Sequence, residues 1–139
     1  MKNDIEKAID LLKDLSISIA VVKNDKQYTS DKKGISPLLD LLQKNLVFFA
    51  GASVADKVIG SAAAFLMIKG NATAAYGEII SSKAKKLFER YSIDYNYGKQ
   101  VDFIKNKNND GLCPLEKLCL NIENPEEAYK LISAFLQSK

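Results

Sequence analysis

Residues 51–68 read GASVADKVIGSAAAFLMI, and the arrangement of the remaining chain depends on how this stretch folds. It carries two charges, on Asp56 and Lys57, and its last eleven residues carry none. A helix without charge on any face is typical of a position inside a protein. Ser53 and Asp56 have the spacing of a capping box. The sequence therefore predicts a buried central helix over residues 54–69.

The polar end of this predicted helix is a candidate binding site. Ser53, Asp56 and Lys57 lie at its start, where unpaired backbone N–H groups and the helix macrodipole attract anions. We therefore expect these three side chains at the floor of a pocket for a phosphate-bearing or otherwise polar small ligand. The alternative is that Ser53 and Asp56 only cap the helix while Lys57 points into solvent.

The length and composition are those of one soluble domain. The chain has 139 residues, of which 47% are hydrophobic and 27% charged, so we expect a single domain over residues 1–139. No signal peptide is visible at the N-terminus, and no apolar run reaches the about 20 residues that cross a bilayer. With two cysteines, these features predict a cytoplasmic protein with reduced thiols and no membrane partner. The net charge of +3 is too small to indicate a nucleic-acid partner.

The chain contains no histidine, and this absence excludes several kinds of site. Ser-His-Asp and Cys-His catalytic groups, His-containing zinc sites and the H-x-E deaminase signature all require one. The two cysteines, Cys113 and Cys119, do not form a Cys-x-x-Cys pair. We therefore expect no metal site and no bound cofactor.

Hydrophobic periodicity and turn signals divide the chain into helices and strands. In order, they predict a helix over residues 4–15, a hairpin over 17–30, a short helix from Ser36 and Pro37 with Ser36 as its cap, a buried strand over 46–50, a strand over 72–80, a helix capped by Ser81 or Ser82, a strand over 93–97 and a final helix from Asn124 and Pro125. Strands that alternate with helices favour parallel crossovers. The predicted fold is therefore α/β, with a mixed sheet of about five strands, an N-terminal hairpin and parallel crossovers, flanked by helices.

A second motif, DGLCPLE at residues 110–116, also indicates a site. Pro114 suits the first position of a helix, which places Cys113 beside the helix N-terminus, where thiols become more reactive. This motif predicts a reactive or ligand-contacting thiol at Cys113, with Asp110 or Glu116 as a neighbouring acid. The alternative is a small buried residue in a turn.

The two motifs together resemble one known family. They are VADKVIG at residues 54–60, followed by an alanine-rich run, and DGLCPLE at residues 110–116. From about residue 5 to about residue 136, the chain is similar to a prokaryotic family of unknown function that is assigned to the cytidine-deaminase-like fold. The resemblance implies a three-layer α/β sandwich, in agreement with the predicted order of helices and strands.

The resemblance also implies that deaminase chemistry is absent. In deaminases the central helix opens with a zinc ligand, an alanine and a glutamate, and Val54-Ala55-Asp56 looks like the corresponding triplet. The next helix of a deaminase opens with Pro-Cys-x-x-Cys, where this chain has ISSKAK at residues 80–85. Without zinc ligands no zinc-activated water forms to attack the base. We therefore expect a deaminase-like shape without zinc and without deaminase activity.

Three functions remain open from the sequence. The first is a binding or regulatory protein that holds a nucleotide-like or other polar ligand at the start of the helix over residues 54–69. Its ligand-binding residues would be Ser53, Asp56, Lys57, Asp110, Cys113 and Glu116. The second is an enzyme without zinc, in which Cys113 is the nucleophile and Asp56 or Lys57 the acid–base partner. The third is a structural or interaction protein with a pocket filled by side chains, in which the short apolar faces favour self-association into a homo-oligomer.

Overall fold

The computed structural model of the protein describes residues 2–14 and 16–138. Its helices are α1 (Asp4–Asp14), α2 (Ser36–Lys44), α3 (Leu46–Phe49), α4 (Ser61–Lys69), α5 (Ser82–Arg90), α6 (Pro114–Leu118) and α7 (Pro125–Gln137). Its strands are β1 (Ile19–Lys23), β2 (Lys26–Ser30), β3 (Ser53–Ile59), β4 (Ala74–Ser81) and β5 (Asp94–Val101).

The described strands form one five-stranded sheet in the order β2-β1-β3-β4-β5. Strand β1 pairs antiparallel with both β2 and β3, whereas β3, β4 and β5 are parallel. The two parallel connections run through α4 and α5. The predicted α/β fold with a mixed sheet, an N-terminal hairpin and parallel crossovers is therefore confirmed.

The predicted central helix over residues 54–69 is wrong in its first half. Residues Ser53–Ile59 form β3, which lies in the middle of the sheet and pairs with β1 on one side and β4 on the other. The buried helix is α4, which begins at Ser61 after the N-cap Gly60. Every side chain from Ser61 to Ile68 is buried, so the charge-free pattern correctly marks a buried helix, but one that starts seven residues later. Hydrogen bonds to two neighbouring strands satisfy the β3 backbone, and they outweigh a local capping pattern.

The predicted buried strand over residues 46–50 is also wrong, because this segment forms the one-turn helix α3. The side chain of Asn45 accepts a hydrogen bond from the backbone N–H of Phe48, which caps the turn at its N-terminus. The ammonium group of Lys23 donates to the carbonyl oxygens of Val47 and Ala50 at the other end. Val47 is 83% exposed, which a buried strand would not allow.

Most other predicted elements occur where the sequence places them. Helix α1 ends at Asp14, and Leu15, the predicted last residue, lies outside the described residues. Ser81 caps α5 by accepting from the N–H of Ala84, and Asn124 caps α7 in the same way. Ser36 is not the cap of α2, because the helix begins at that residue and the N-cap position belongs to Ile35.

Helices cover both faces of the sheet. On one face α1 packs over β1, β3 and β4, with Ala8 and Leu12 against Ala20 and Ala55. On the other face α4 packs against α2, α5 and α7. Alternate residues of a strand point to opposite faces, which is why Val54 belongs to the core around α4 while Ala55 belongs to the core beneath α1.

Within residues 2–14 and 16–138, no helix has the length and apolar character needed to span a membrane.

We predict that Gly70→Ala destabilises the protein. Gly70 ends α4 with φ −83°, a conformation open to any residue, but an added Cβ would overlap the side chains of Leu42 and Phe49, which are both buried. Overpacking of this kind costs about 1–3 kcal/mol, and urea unfolding would measure it. The control is Gly111→Ala, whose new Cβ would meet nothing closer than the Asn106 side chain at 3.7 Å. Equal unfolding midpoints for both variants would contradict this account of the packing around α4.

Candidate functional site

A carboxylate from a distant part of the chain caps the N-terminus of α4. Oε1 of Glu116 accepts hydrogen bonds from the backbone N–H of Ser61 at 2.9 Å and from its hydroxyl at 3.1 Å. Oε2 accepts from the N–H of Ala62 at 3.2 Å. Glu116 is only 9% exposed. A negative charge is favourable at a helix N-terminus, and at this end of α4 the carboxylate of Glu116 supplies it.

Gly60 is the residue that lets Glu116 approach. A Cβ atom at this position would lie 2.5–2.7 Å from the carboxyl atoms of Glu116, far inside van der Waals contact. Since Gly60 is the N-cap of α4 and has no side chain to accept the first N–H groups, the cap must come from another segment. The close approach of backbone and carboxylate therefore requires glycine here.

A cavity of about 390 Å³ opens beside this cap, at the carboxyl end of β3. Its walls are mainly apolar and include Ile35, Val58, Ala62, Ala63, Ile104 and Leu115. The polar groups in its lining are Ser18, Lys33, Asp56, Lys57, Cys113 and Glu116. The pocket is therefore open, whereas in a structural or interaction protein we expected side chains to fill it. A mainly apolar cavity with a few polar groups is the usual form of a small-molecule site.

The structure brings together four of the six predicted site residues and separates the other two. Asp56, Lys57, Cys113 and Glu116 line the same cavity. Ser53 is buried at the opposite end of β3, where it pairs with Val22 and Ala74. Asp110 is exposed in a turn, where its carboxylate accepts a hydrogen bond from the side chain of Asn106 at 2.9 Å.

The sequence analysis missed several of the cavity-lining residues, among them Lys33 and Ile35. Lys33 and Ile35 belong to the connection between β2 and α2, and the Lys32-Lys33-Gly34 sequence reads locally as a simple break between elements. Glu116 was predicted as an acid near Cys113, but nothing in the local sequence indicates that it caps a helix 55 residues earlier in the chain.

Asp56 is the carboxyl group of the cavity that lacks strong partners. Its Oδ1 accepts one long hydrogen bond, from the N–H of Val58 at 3.4 Å. Burial raises the pKa of Asp56 to about 7, although the nearby backbone N–H groups of Val58 and Lys57 act in the opposite direction. In the described part of the chain, no ion pair involves Asp56. A carboxyl group that titrates near neutral pH can either donate or accept a proton when it meets a ligand.

The two cysteines occupy different environments. Cys113 is half-buried, occupies the N-cap position of α6 and lines the cavity. Cys119 is fully buried in the core, and burial raises the pKa of its thiol to about 11. Both are free thiols. Among residues 2–14 and 16–138, no three or more Cys, Asp or Glu side chains are grouped so that they could hold a metal ion.

The chain is similar to proteins of unknown function. The model of the family described as TM1506, a domain of unknown function (DUF1893), matches residues 7–136. The crystal structure of a DUF1893 family protein (TM1506) from Thermotoga maritima has a TM-score of 0.87 to this structure at 26% sequence identity, covering 96% of this chain and 90% of that one. No curated protein matches the chain.

We predict that Glu116→Gln destabilises the protein. The glutamine amide replaces one acceptor oxygen with an NH₂ group, which cannot accept a hydrogen bond, and it removes the negative charge from the start of α4. We expect a loss of about 2–3 kcal/mol in the free energy of unfolding, measured by urea denaturation. The matched control is Glu123→Gln, because the exposed ion pair of Glu123 with Arg90 contributes at most about 1 kcal/mol. Losses of the same size in both variants would show that the cap has no special role.

We also predict that Asp56→Asn becomes more stabilising as the pH rises. The pKa of Asp56 is raised by folding from 3.8 to about 7, so the folded protein favours the neutral form. The wild type therefore loses stability between these two pKa values, and the asparagine variant does not. At about pH 8 the variant gains up to about 4 kcal/mol over the wild type, and at about pH 4 the gain nearly vanishes.

Urea unfolding of both proteins across this pH range is the measurement, with Asp25→Asn in the exposed β1–β2 turn as the control. A difference between Asp56→Asn and wild type that does not change with pH would contradict the desolvation of Asp56.

Proposed function

The chain belongs to the DUF1893 family, and we propose that it binds a small nucleotide-like ligand in the cavity beside Asp56 and Glu116. The ligand is held by the apolar walls of the cavity and by hydrogen bonds to Asp56. In this proposal the protein is a binding or regulatory protein. The family description names no activity, so the support comes from the geometry and electrostatics of the cavity.

The single observation that carries the proposal is the environment of Asp56. Its carboxyl group faces a mainly apolar cavity with one long hydrogen bond to the backbone. Asp56 is partly buried, and removing a charge from water without a charged partner costs stability. Groups that are costly to the fold and titrate near neutral pH are concentrated at functional sites. A ligand with N–H donors would supply the missing partner.

The size and walls of the cavity suit a heterocyclic ring. The volume of about 390 Å³ lies within the range of roughly 300–1,000 Å³ that is typical of small-molecule sites. Ile35, Ala62 and Leu115 offer apolar surface to a ring, while Asp56 offers oxygen atoms to its N–H groups. The backbone N–H groups at the start of α4 are occupied by Glu116, so the binding does not depend on an anion at that helix, contrary to the expectation from the sequence.

A deaminase-like origin of the fold is part of the proposal. The antiparallel hairpin followed by two parallel crossovers supports it. The expected correspondence of Val54-Ala55-Asp56 to the triplet that opens a deaminase helix does not hold, because these residues lie in β3. The helices after β3 and β4 open with Ser61 and Ser82, without the cysteines of a zinc site. The residues present therefore do not fit a catalytic zinc ion, and we propose binding without deamination.

Cys113 supports a second candidate function, a thiol enzyme. The observation in its favour is that Cys113, Asp56 and Lys57 line one cavity, which the sequence alone could not show. A thiolate beside an acid–base group is the arrangement used for covalent catalysis. Intact-mass measurement after incubation with each candidate ligand distinguishes the two functions, since a covalent adduct on Cys113 indicates the enzyme and an unchanged mass indicates reversible binding.

The proposed binding is tested with nucleobases, nucleosides and nucleotides in thermal-shift and calorimetric titrations. We expect at least one member of this panel to raise the melting temperature at millimolar concentration. Asp56→Asn should weaken its binding by about tenfold, the equivalent of about 1.4 kcal/mol, whereas Asp25→Asn should bind as the wild type does.

The same ligand should slow the alkylation of Cys113 by iodoacetamide, since both would occupy the cavity, and Cys113→Ser identifies the reacting thiol. The proposal fails if no member of the panel stabilises the protein, or if Asp56→Asn binds as tightly as the wild type.

A further inference from the structure

A second cavity adjoins the first one. It has a volume of about 550 Å³ and shares Ser18, Lys33 and Lys57 with the cavity beside Asp56. Its remaining polar lining includes Lys13, Asp31 and Glu78. The second cavity, here called the lysine chamber, therefore differs in character from its mainly apolar neighbour, and the shared residues lie where the two spaces meet.

The course of β3 explains why the two cavities lie on opposite faces of the sheet, the first beside α4 and the second beside α1. Successive residues of a strand point to opposite faces. Asp56 thus lies on the side of α4, where it lines only the first cavity, and Lys57 lies at the junction with the lysine chamber. The backbone N–H of Lys57 donates to the carbonyl oxygen of Ser18 at 3.1 Å, which holds the junction next to the start of β1.

Among residues 2–14 and 16–138, no carboxylate forms an ion pair with the ammonium groups of the lysine chamber. In the described ranges the ion pairs are Lys2–Asp10, Lys69–Glu126 and Arg90–Glu123. Lys13 lies with its Nζ atom 5.6 Å from the centroid of the Tyr76 ring. With three lysines and two acids in its lining, the chamber is positively charged, and its lysines are available to an anion.

We propose that the bound ligand is a nucleoside monophosphate whose base occupies the cavity beside Asp56 and whose phosphate occupies the lysine chamber. This inference rests on the proposed function, and it adds a binding site for the charged end of the ligand. Lysine ammonium groups bind phosphate as point charges, and a monophosphate carries about −1.5 to −2 charges at neutral pH. This charge matches a chamber with a small positive excess better than the larger charge of a triphosphate does.

The experiment compares each nucleoside with its own 5′-monophosphate by isothermal titration calorimetry, with inorganic phosphate alone as the third probe. For the wild type we expect a monophosphate to bind at least about tenfold more tightly than its nucleoside, and this advantage to shrink as salt is added. Lys13→Met, at a lysine that lines only the lysine chamber, should reduce the advantage and leave the affinity for the nucleoside unchanged. Lys107→Met, in an exposed turn, is the control and should behave as the wild type does.

The outcomes separate this inference from the proposed function. Equal affinities for a nucleoside and its monophosphate would overturn the inference and leave the binding of a base beside Asp56 in place. Inorganic phosphate that binds as tightly as the best monophosphate would overturn the joint occupation of the two cavities. If neither nucleosides nor monophosphates bind, both the proposed function and this inference fail.

Discussion

The hydrogen bonds from the start of α4 to Glu116 are the constraint on which the rest of the site depends. Helix α4 is buried and begins after a glycine, so its first N–H groups have neither water nor a local side chain to bind. Glu116 satisfies them from a segment 55 residues further along the chain, and Gly60 leaves room for its carboxylate. The same contact holds Cys113 and Leu115 against the cavity. The hydrogen bonds that the buried helix start requires thus also position one wall of the candidate site.

The two carboxyl groups of the cavity affect the stability of the folded protein in opposite ways. Glu116 makes three hydrogen bonds to α4 and is part of the architecture. Asp56 makes one long hydrogen bond, and burial raises its pKa to about 7, so its charged form is a cost to the folded state. Proteins retain such costs mainly where function needs them. Folding therefore accounts for Glu116, whereas folding alone does not account for Asp56, and this difference is the reason for proposing a ligand beside it.

The sequence predicted the elements whose signals are local and failed where the decisive contacts are distant. The hairpin, α1 and α7 carry their periodicity and caps within a few residues, and all were predicted correctly. In β3 the Ser53 and Asp56 spacing fits a helix start, and an apolar run alone does not distinguish a buried strand from a buried helix. Only the pairing of β3 with β1 and β4 decides between them. The same is true of the site. Lys33 lines the cavity only because of the path that the chain takes between β2 and α2, and no local pattern in the sequence indicates this path.

The strand conformation of residues 53–59 also changes which ligand the site suits. In a helix, Ser53 and Asp56 would share one face and lie close together. Three residues apart in a strand, they are about 10 Å apart and point to opposite faces, so Ser53 leaves the site. The same alternation sends Asp56 toward the apolar cavity and Lys57 toward the lysine chamber. Asp56 and Lys57 are adjacent in sequence, yet Asp56 lines only the apolar cavity while Lys57 lies where the two cavities meet, because neighbouring residues of a strand point to opposite faces of the sheet.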